Sequence, residues 1–127
     1  MRNKKHIVIA ISAALLVVAE MVSCTHSPQT PQISFSKDII PILNASCVLN
    51  SGCHLGGNGV NQNVNLDSAY AYNTIIVKEL VSTTSPQASL LYTEVRSNEM
   101  PRPPTPPLSA SQQALILYWI EQGALNN

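Results

Sequence analysis

Hydrophobic residues recur at helical spacing where the folded part of the chain begins. The first apolar stripe consists of Phe35, Ile39, Ile40 and Leu43, which fall on one side of a helix. Pro41 fits the first turn of this helix, because a proline there loses no backbone hydrogen bond. The pattern therefore predicts a helix that starts near Ser36 or Asp38 and runs towards Cys47.

The strongest helix signals lie near the other end of the chain, over residues 108–124. Ser109 and Gln112 have the spacing of a capping box, and Gly123 is a C-terminal stop signal. The apolar face of this helix carries three large residues: Ile116, Trp119 and Ile120. We expect a core helix whose indole packs against the first helix.

The residues between these two helices give weaker signals. Residues 58–65 form a polar, turn-rich stretch, after which Asp67 is placed to cap a short helix through Tyr70 and Tyr72. Residues 74–77 are all β-branched, so their pattern fits a strand and buried coil equally well. The sequence leaves this segment undecided.

A further helix is predicted from Ser85 to about Arg96. Ser85 has the preference of an N-cap residue, and Pro86 that of the first helical position. Leu91 and Val95 then line one side. All the assigned elements are helical, so the chain predicts an all-α fold.

The N-terminus has the pattern of a lipoprotein signal peptide over residues 1–23. Basic residues precede a 13-residue apolar run at 7–19, which is too short to span a membrane. Met-Val-Ser-Cys at residues 21–24 resembles the bacterial lipobox, which makes Cys24 the lipidated N-terminus of the mature chain. Lipidation of Cys24 also explains why the chain has three cysteines, an odd number. An ordinary signal peptide cleaved nearby is the alternative.

Two parts follow the predicted signal peptide: a tether and one domain. Residues 24–33 contain two prolines among polar residues, and this composition predicts a flexible tether that begins at the lipidated N-terminus. Residues 34–127 then form one small domain. We expect this domain to be exported and held by its lipid on the periplasmic side of a bacterial membrane.

Removal of the leader changes the charge balance. The chain has seven basic and seven acidic residues, and the leader takes three of the basic and one of the acidic ones. The mature chain is therefore mildly acidic, with a net charge of minus two. A nucleic-acid partner would require a basic face, so that class is excluded.

Chemistry-bearing residues cluster in one stretch. Cys47 and Cys53 are separated by five residues, and His54 directly follows the second cysteine. Two cysteines closed by an adjacent histidine are typical of covalent haem attachment, in which the thiols add to porphyrin vinyl groups and the imidazole binds the iron. The usual spacer has two residues. The longer spacer here must bulge while it brings both sulfurs to one edge of the ring.

Two histidines and one methionine of the mature chain are candidate iron ligands. His26 lies in the tether, where we expect it to be exposed to solvent. His54 is positioned by the covalent attachment and is the predicted proximal ligand. Met100 precedes residues 101–107, where five prolines impose a stiff course that can hold one side chain in place. With Met100 as the distal ligand, the thioether would raise the reduction potential of the haem iron. The iron would then have no open coordination site. Such a centre moves electrons and is not an enzyme.

These residues resemble the class I c-type cytochromes, and most closely the small cytochrome c-like domains of bacterial lipoproteins. The similarity extends from about Phe35 to Asn126 and is carried by four stretches: residues 35–43 leading into Cys47, residues 89–92, Met100-Pro101, and residues 108–109 with 119–124. The resemblance implies a helical domain wrapped around one covalent haem, with its first and last helices packed together. It also implies haem c on Cys47 and Cys53, His54 and Met100 as iron ligands, and transient redox partners.

Two alternatives remain from the residues alone. Cys47 and Cys53 can form a disulfide in an exported binding or structural module. A haem enzyme, either a peroxidase or a nitrogen-oxide-reacting cytochrome, would need an open iron or a Met that dissociates easily. A zinc site on Cys47, Cys53 and His54 lacks a fourth ligand.

Overall fold

The computed structural model describes residues 30–49, 53–56 and 63–127, and this part of the chain is helical without a strand. It contains four α-helices: α1 (Ile40–Ser46), α2 (Ala71–Val77), α3 (Leu90–Arg96) and α4 (Ala110–Glu121). Pro31–Asn127 form one compact unit. The all-α prediction is confirmed for the described residues.

The first helical segment begins as a π-helical turn, Phe35–Ile39, and continues as α1. Its N-cap is Ser34, two residues before Ser36, the earlier of the two starts that the sequence indicated. The Ser34 hydroxyl accepts from the Lys37 N–H at 3.3 Å, and the Ser34 N–H donates to Asp38 Oδ2 at 2.7 Å. Pro41 lies in the first turn of α1, as predicted. Ser34 caps the start of the segment, and Pro41 lies at the start of α1, whose C-cap is Cys47.

Helix α2 includes residues 74–77, which the sequence left undecided between strand and coil. Ala71 and Ile75 lie one helical turn apart and both are fully buried, so packing favours the helix over the local preference of β-branched residues. Asp67 stabilises the preceding turn, since its carboxylate accepts from the Ala69 N–H at 3.2 Å and its carbonyl from the Tyr70 N–H at 2.8 Å. It does not cap α2 itself, whose N-cap is Tyr70.

The predicted helix from Ser85 is broken into two pieces. A 3₁₀ turn, Pro86–Ala88, comes first, and α3 starts only after Ser89. Ser89 is buried, and its hydroxyl accepts from the Ser82 N–H at 2.9 Å, so the buried polar group has a partner. The end of α3 at Arg96 agrees with the sequence.

Helix α4 has the predicted caps. Ser109 Oγ accepts from the Gln112 N–H at 3.3 Å, and the Gln112 side chain accepts from the Ser109 N–H at 2.9 Å. Gly123, just past the helix, has a φ of +101°, the left-handed conformation that favours glycine. The helix is shorter than predicted by a few residues at each end.

The core joins the first helical segment to α4. The centroid of the Phe35 ring lies 5.1 Å from that of Trp119 and 5.2 Å from that of Tyr72. The Trp119 indole N–H donates to the Leu125 carbonyl at 2.9 Å. The largest fully buried side chains are Trp119, Ile39, Leu43, Ile75, Ile116, Ile120 and Val95. The first and last helical segments are thus packed together, through the π-helical turn.

Hydrogen bonds also close the two ends of the compact unit on each other. Asn127 Oδ1 accepts from the Phe35 N–H at 2.8 Å, and the Asn127 carbonyl accepts from the Ser36 N–H at 2.9 Å. Gln122 adds a second pair, accepting from the Ile33 N–H at 2.8 Å and donating to the Pro31 carbonyl at 3.2 Å. We call these contacts the terminal clasp.

Candidate functional site

Cys47 caps the end of α1 and belongs to the core. Its N–H donates to the Leu43 carbonyl at 2.7 Å, which continues the hydrogen bonding of the helix. The residue is only 8% exposed. The helix that the apolar stripe predicts therefore delivers the first cysteine to a fixed, buried position.

His54 lies against the end of α1 although the intervening loop separates it from Cys47 in sequence. The His54 N–H donates to the Cys47 carbonyl at 2.9 Å, and the His54 carbonyl accepts from the Leu66 N–H at 2.8 Å. These two bonds hold residues 53–56 between α1 and residues 63–66. Residues 50–52 and 57–62, including most of the predicted polar loop, lie outside the described part of the chain.

The His54 ring is oriented by a backbone carbonyl. Its Nδ1 lies 3.0 Å from the Val64 carbonyl oxygen. A carbonyl can only accept, so Nδ1 carries the proton of this hydrogen bond, and in the neutral ring Nε2 keeps its lone pair. A hydrogen bond from one ring nitrogen to a carbonyl is the usual way in which proteins orient a histidine that binds a metal through the other.

The two thiols are close enough to influence each other. Burial raises the pKa of the Cys47 thiol to about 11, and the neighbouring Cys53 thiol adds to the increase. Cys53 is half-buried, and Cys47 is a thiol and not half of a disulfide. The Cys53 thiol and the backbone of His54 thus both lie close to Cys47, and the roles of the three side chains stay a prediction.

Met100 belongs to a different segment. It follows α3 and is half-buried, and its N–H donates to the Glu94 carbonyl at 3.0 Å. The described residues from 97 to 109 contain neither helix nor strand, in agreement with the proline-rich sequence. The hydrogen bonding of Met100 ties it to α3, and its role as distal ligand stays a prediction.

The His54 ring and the exposed leucines suit a flat apolar ligand with a central metal, whereas the Cys47 thiol is packed in the core. Leu49 and Leu55, on either side of Cys53, are 47% and 39% exposed and offer apolar surface next to the thiols. His54 offers an oriented ring nitrogen, and the two cysteines offer sulfur nucleophiles. Among the described residues, no three His, Cys, Asp or Glu side chains gather around a single point where a metal ion could bind.

One part of the site had no signal in the sequence. The Val64 carbonyl orients His54, and the Leu66 N–H holds the His54 backbone. Backbone groups of apolar residues carry no side-chain signature, so spacing and composition do not reveal them. Only the fold shows that residues 63–66 complete the environment of the histidine.

The predicted membrane anchor falls outside the described residues. The signal peptide of residues 1–23, the lipidation site at Cys24 and His26 in the tether all lie there. Within residues 30–49, 53–56 and 63–127, no helix combines the length and the hydropathy needed to cross a membrane.

No known protein family matches the chain, and neither does any curated protein or solved structure. The resemblance to c-type cytochromes therefore depends on the residues of the chain alone. A function for the site has to be argued from its own geometry.

Proposed function

We propose that the chain is an exported, lipid-anchored electron-transfer protein that carries one haem c. His54 Nε2 is the proximal iron ligand, Met100 Sδ the distal one, and Cys47 and Cys53 hold the porphyrin covalently. The single observation that carries this proposal is the 3.0 Å contact of His54 Nδ1 with the Val64 carbonyl, which leaves Nε2 available for a metal.

Each group of the chain has a defined task in this proposal. The Val64 carbonyl keeps the imidazole from rotating, and the bond from the His54 N–H to the Cys47 carbonyl keeps the histidine next to the first thiol. Leu49 and Leu55 cover apolar ligand surface that would otherwise face water. Bound haem supplies an iron that gains or loses one electron.

The proposed partners follow from this role. An electron carrier meets its donor and its acceptor in turn, so we expect small, weak and transient contacts with other redox proteins. The lipid at Cys24 keeps the domain at the membrane surface, and the tether lets it reach partners there. The mildly acidic mature chain favours no nucleic-acid contact.

Absorption spectra of the mature protein, produced with haem-ligation machinery, test the proposal. We expect a Soret band, the spectrum of low-spin iron, and a haemochrome band typical of thioether-bound haem. His54→Ala removes the oriented ring and loses the low-spin spectrum, whereas His26→Ala, in the tether, is the matched control and changes nothing. Met100→Leu keeps the haem but gives high-spin iron and a lower reduction potential.

The outcomes separate the proposal from its rival. A colourless wild-type protein would sink the electron-carrier proposal. If such a protein also lacked two titratable thiols, the alternative of a Cys47–Cys53 disulfide in a binding or structural module would be favoured. A coloured protein whose spectrum is unaffected by Met100→Leu would keep the haem and reject Met100 as ligand.

A further inference from the structure

The two cysteines of the site lie in unequal surroundings. Cys47 is 8% exposed and packs with the apolar core, and its N–H is still engaged with the Leu43 carbonyl at 2.7 Å. Cys53 is half-buried, and its neighbour Leu55 is 39% exposed. A molecule that arrives from solvent therefore meets the sulfur of Cys53 before that of Cys47.

We propose that the thiols act in a fixed order, Cys53 first and Cys47 second; this inference rests on the haem function proposed above. In each addition the S–H bond breaks, a C–S bond forms to one vinyl carbon, and the hydrogen goes to the other vinyl carbon. Addition of a thiol across a vinyl double bond is redox-neutral overall, so the reaction needs no oxidant or reductant. The order is a property of the chain, because it comes from the burial of the two sulfurs.

The second addition requires the end of α1 to open. Cys47 Sγ cannot reach a porphyrin edge while its residue is packed in the core, so the last turn of α1 must move outward, which is a local opening of the fold. The first bond assists this step. Attachment at Cys53 holds the porphyrin next to His54, whose N–H contacts the Cys47 carbonyl at 2.9 Å, so the second reaction is intramolecular.

Alkylation of the full chain, produced without haem, tests the inequality of the thiols directly. We expect iodoacetamide to modify Cys53 at least about tenfold faster than Cys47 in native buffer, because reaction at Cys47 must wait for opening. Both rates become similar in denaturant. Peptide mass spectrometry at successive times gives the two rates. Equal rates in native buffer, or faster reaction of Cys47, would overturn the proposal.

Matched variants test the order of attachment. When produced with haem-ligation machinery, Cys47→Ser should keep covalent haem through one thioether, and its haemochrome band should shift to the single-thioether position. Cys53→Ser should carry at least about tenfold less covalent haem, because the remaining thiol is the buried one. Cys47→Ala serves as a second variant in case the serine hydroxyl disturbs the core.

The result separates this inference from the proposed function. A coloured wild-type protein with the opposite pattern, or with equal losses in the two variants, overturns the order and leaves the electron carrier standing. A colourless wild-type protein overturns both proposals, and the alkylation rates then describe two thiols of unequal burial without a haem role.

Discussion

The packing around Trp119 and the segment around Cys53 differ in what the chain itself provides. Trp119 is fully buried, its ring lies 5.1 Å from that of Phe35, and its indole N–H is hydrogen-bonded. Next to Cys53, by contrast, Leu49 and Leu55 are 47% and 39% exposed. Exposed leucines contribute little hydrophobic free energy. The packing around Trp119 therefore contributes more to the stability of the fold than the two leucines near Cys53 do.

Substitution of Trp119 should have the largest effect on stability. Trp119→Ala removes the ring packed on Phe35 and the hydrogen bond to the Leu125 carbonyl, so we expect a loss of about 3–5 kcal/mol in the free energy of unfolding. Tyr118→Ala is the control, since Tyr118 is its neighbour on α4 and is 46% exposed. Denaturant titration of both variants measures the difference. Similar losses would mean that stability does not come from this core.

A matched pair of leucines compares the two regions directly. Leu43 is fully buried in α1, whereas Leu49 is 47% exposed beyond it. In haem-free protein, Leu43→Ala should lower the free energy of unfolding by about 2–5 kcal/mol, and Leu49→Ala by less than about 0.5 kcal/mol. Urea denaturation of the two variants gives the result. A large loss in the free energy of unfolding for Leu49→Ala in haem-free protein would show that the chain itself packs around the Leu49 side chain.

The terminal clasp should contribute a smaller amount. Asn127→Ala removes the acceptor for the Phe35 N–H at 2.8 Å, so we expect a loss of about 1 kcal/mol. The exposed neighbour Asn126 provides the control variant, Asn126→Ala, with no measurable effect expected. Thermal unfolding of both variants is the measurement. An unchanged midpoint for Asn127→Ala would mean that the Asn127 side chain does not contribute measurably to the closure of the two ends.

Local signals predicted some helices well and others poorly. The capping box of Ser109 and Gln112 is a short-range interaction, and it forms as the sequence indicates. Residues 74–77 were undecided because their β-branched side chains oppose a helix, and only the burial of Ile75 in the core decides for one. Ser89 is a related case: its non-helical backbone, with ψ of 132°, interrupts a helix that the sequence predicted to be continuous.

The sequence singles out the side chains of the candidate site but not the backbone groups that support them. Cys47, Cys53 and His54 are recognisable because their residue types and order carry the chemistry. The contact of His54 with Val64 depends on how the chain returns after the loop, and a backbone carbonyl has the same chemistry at every position. Whether Met100 faces the histidine is likewise a question of tertiary geometry, which the spacing along the chain does not determine.

The terminal clasp has a mechanical consequence. Tension applied through residue 30 reaches the Gln122 bonds to Pro31 and Ile33 first, and the Asn127 bond to Phe35 next. Such tension thus passes into the residues that follow α4, which are the partners of these hydrogen bonds. The backbone between Phe35 and Cys47 bears less of this load, so α1 is kept out of the path of the force.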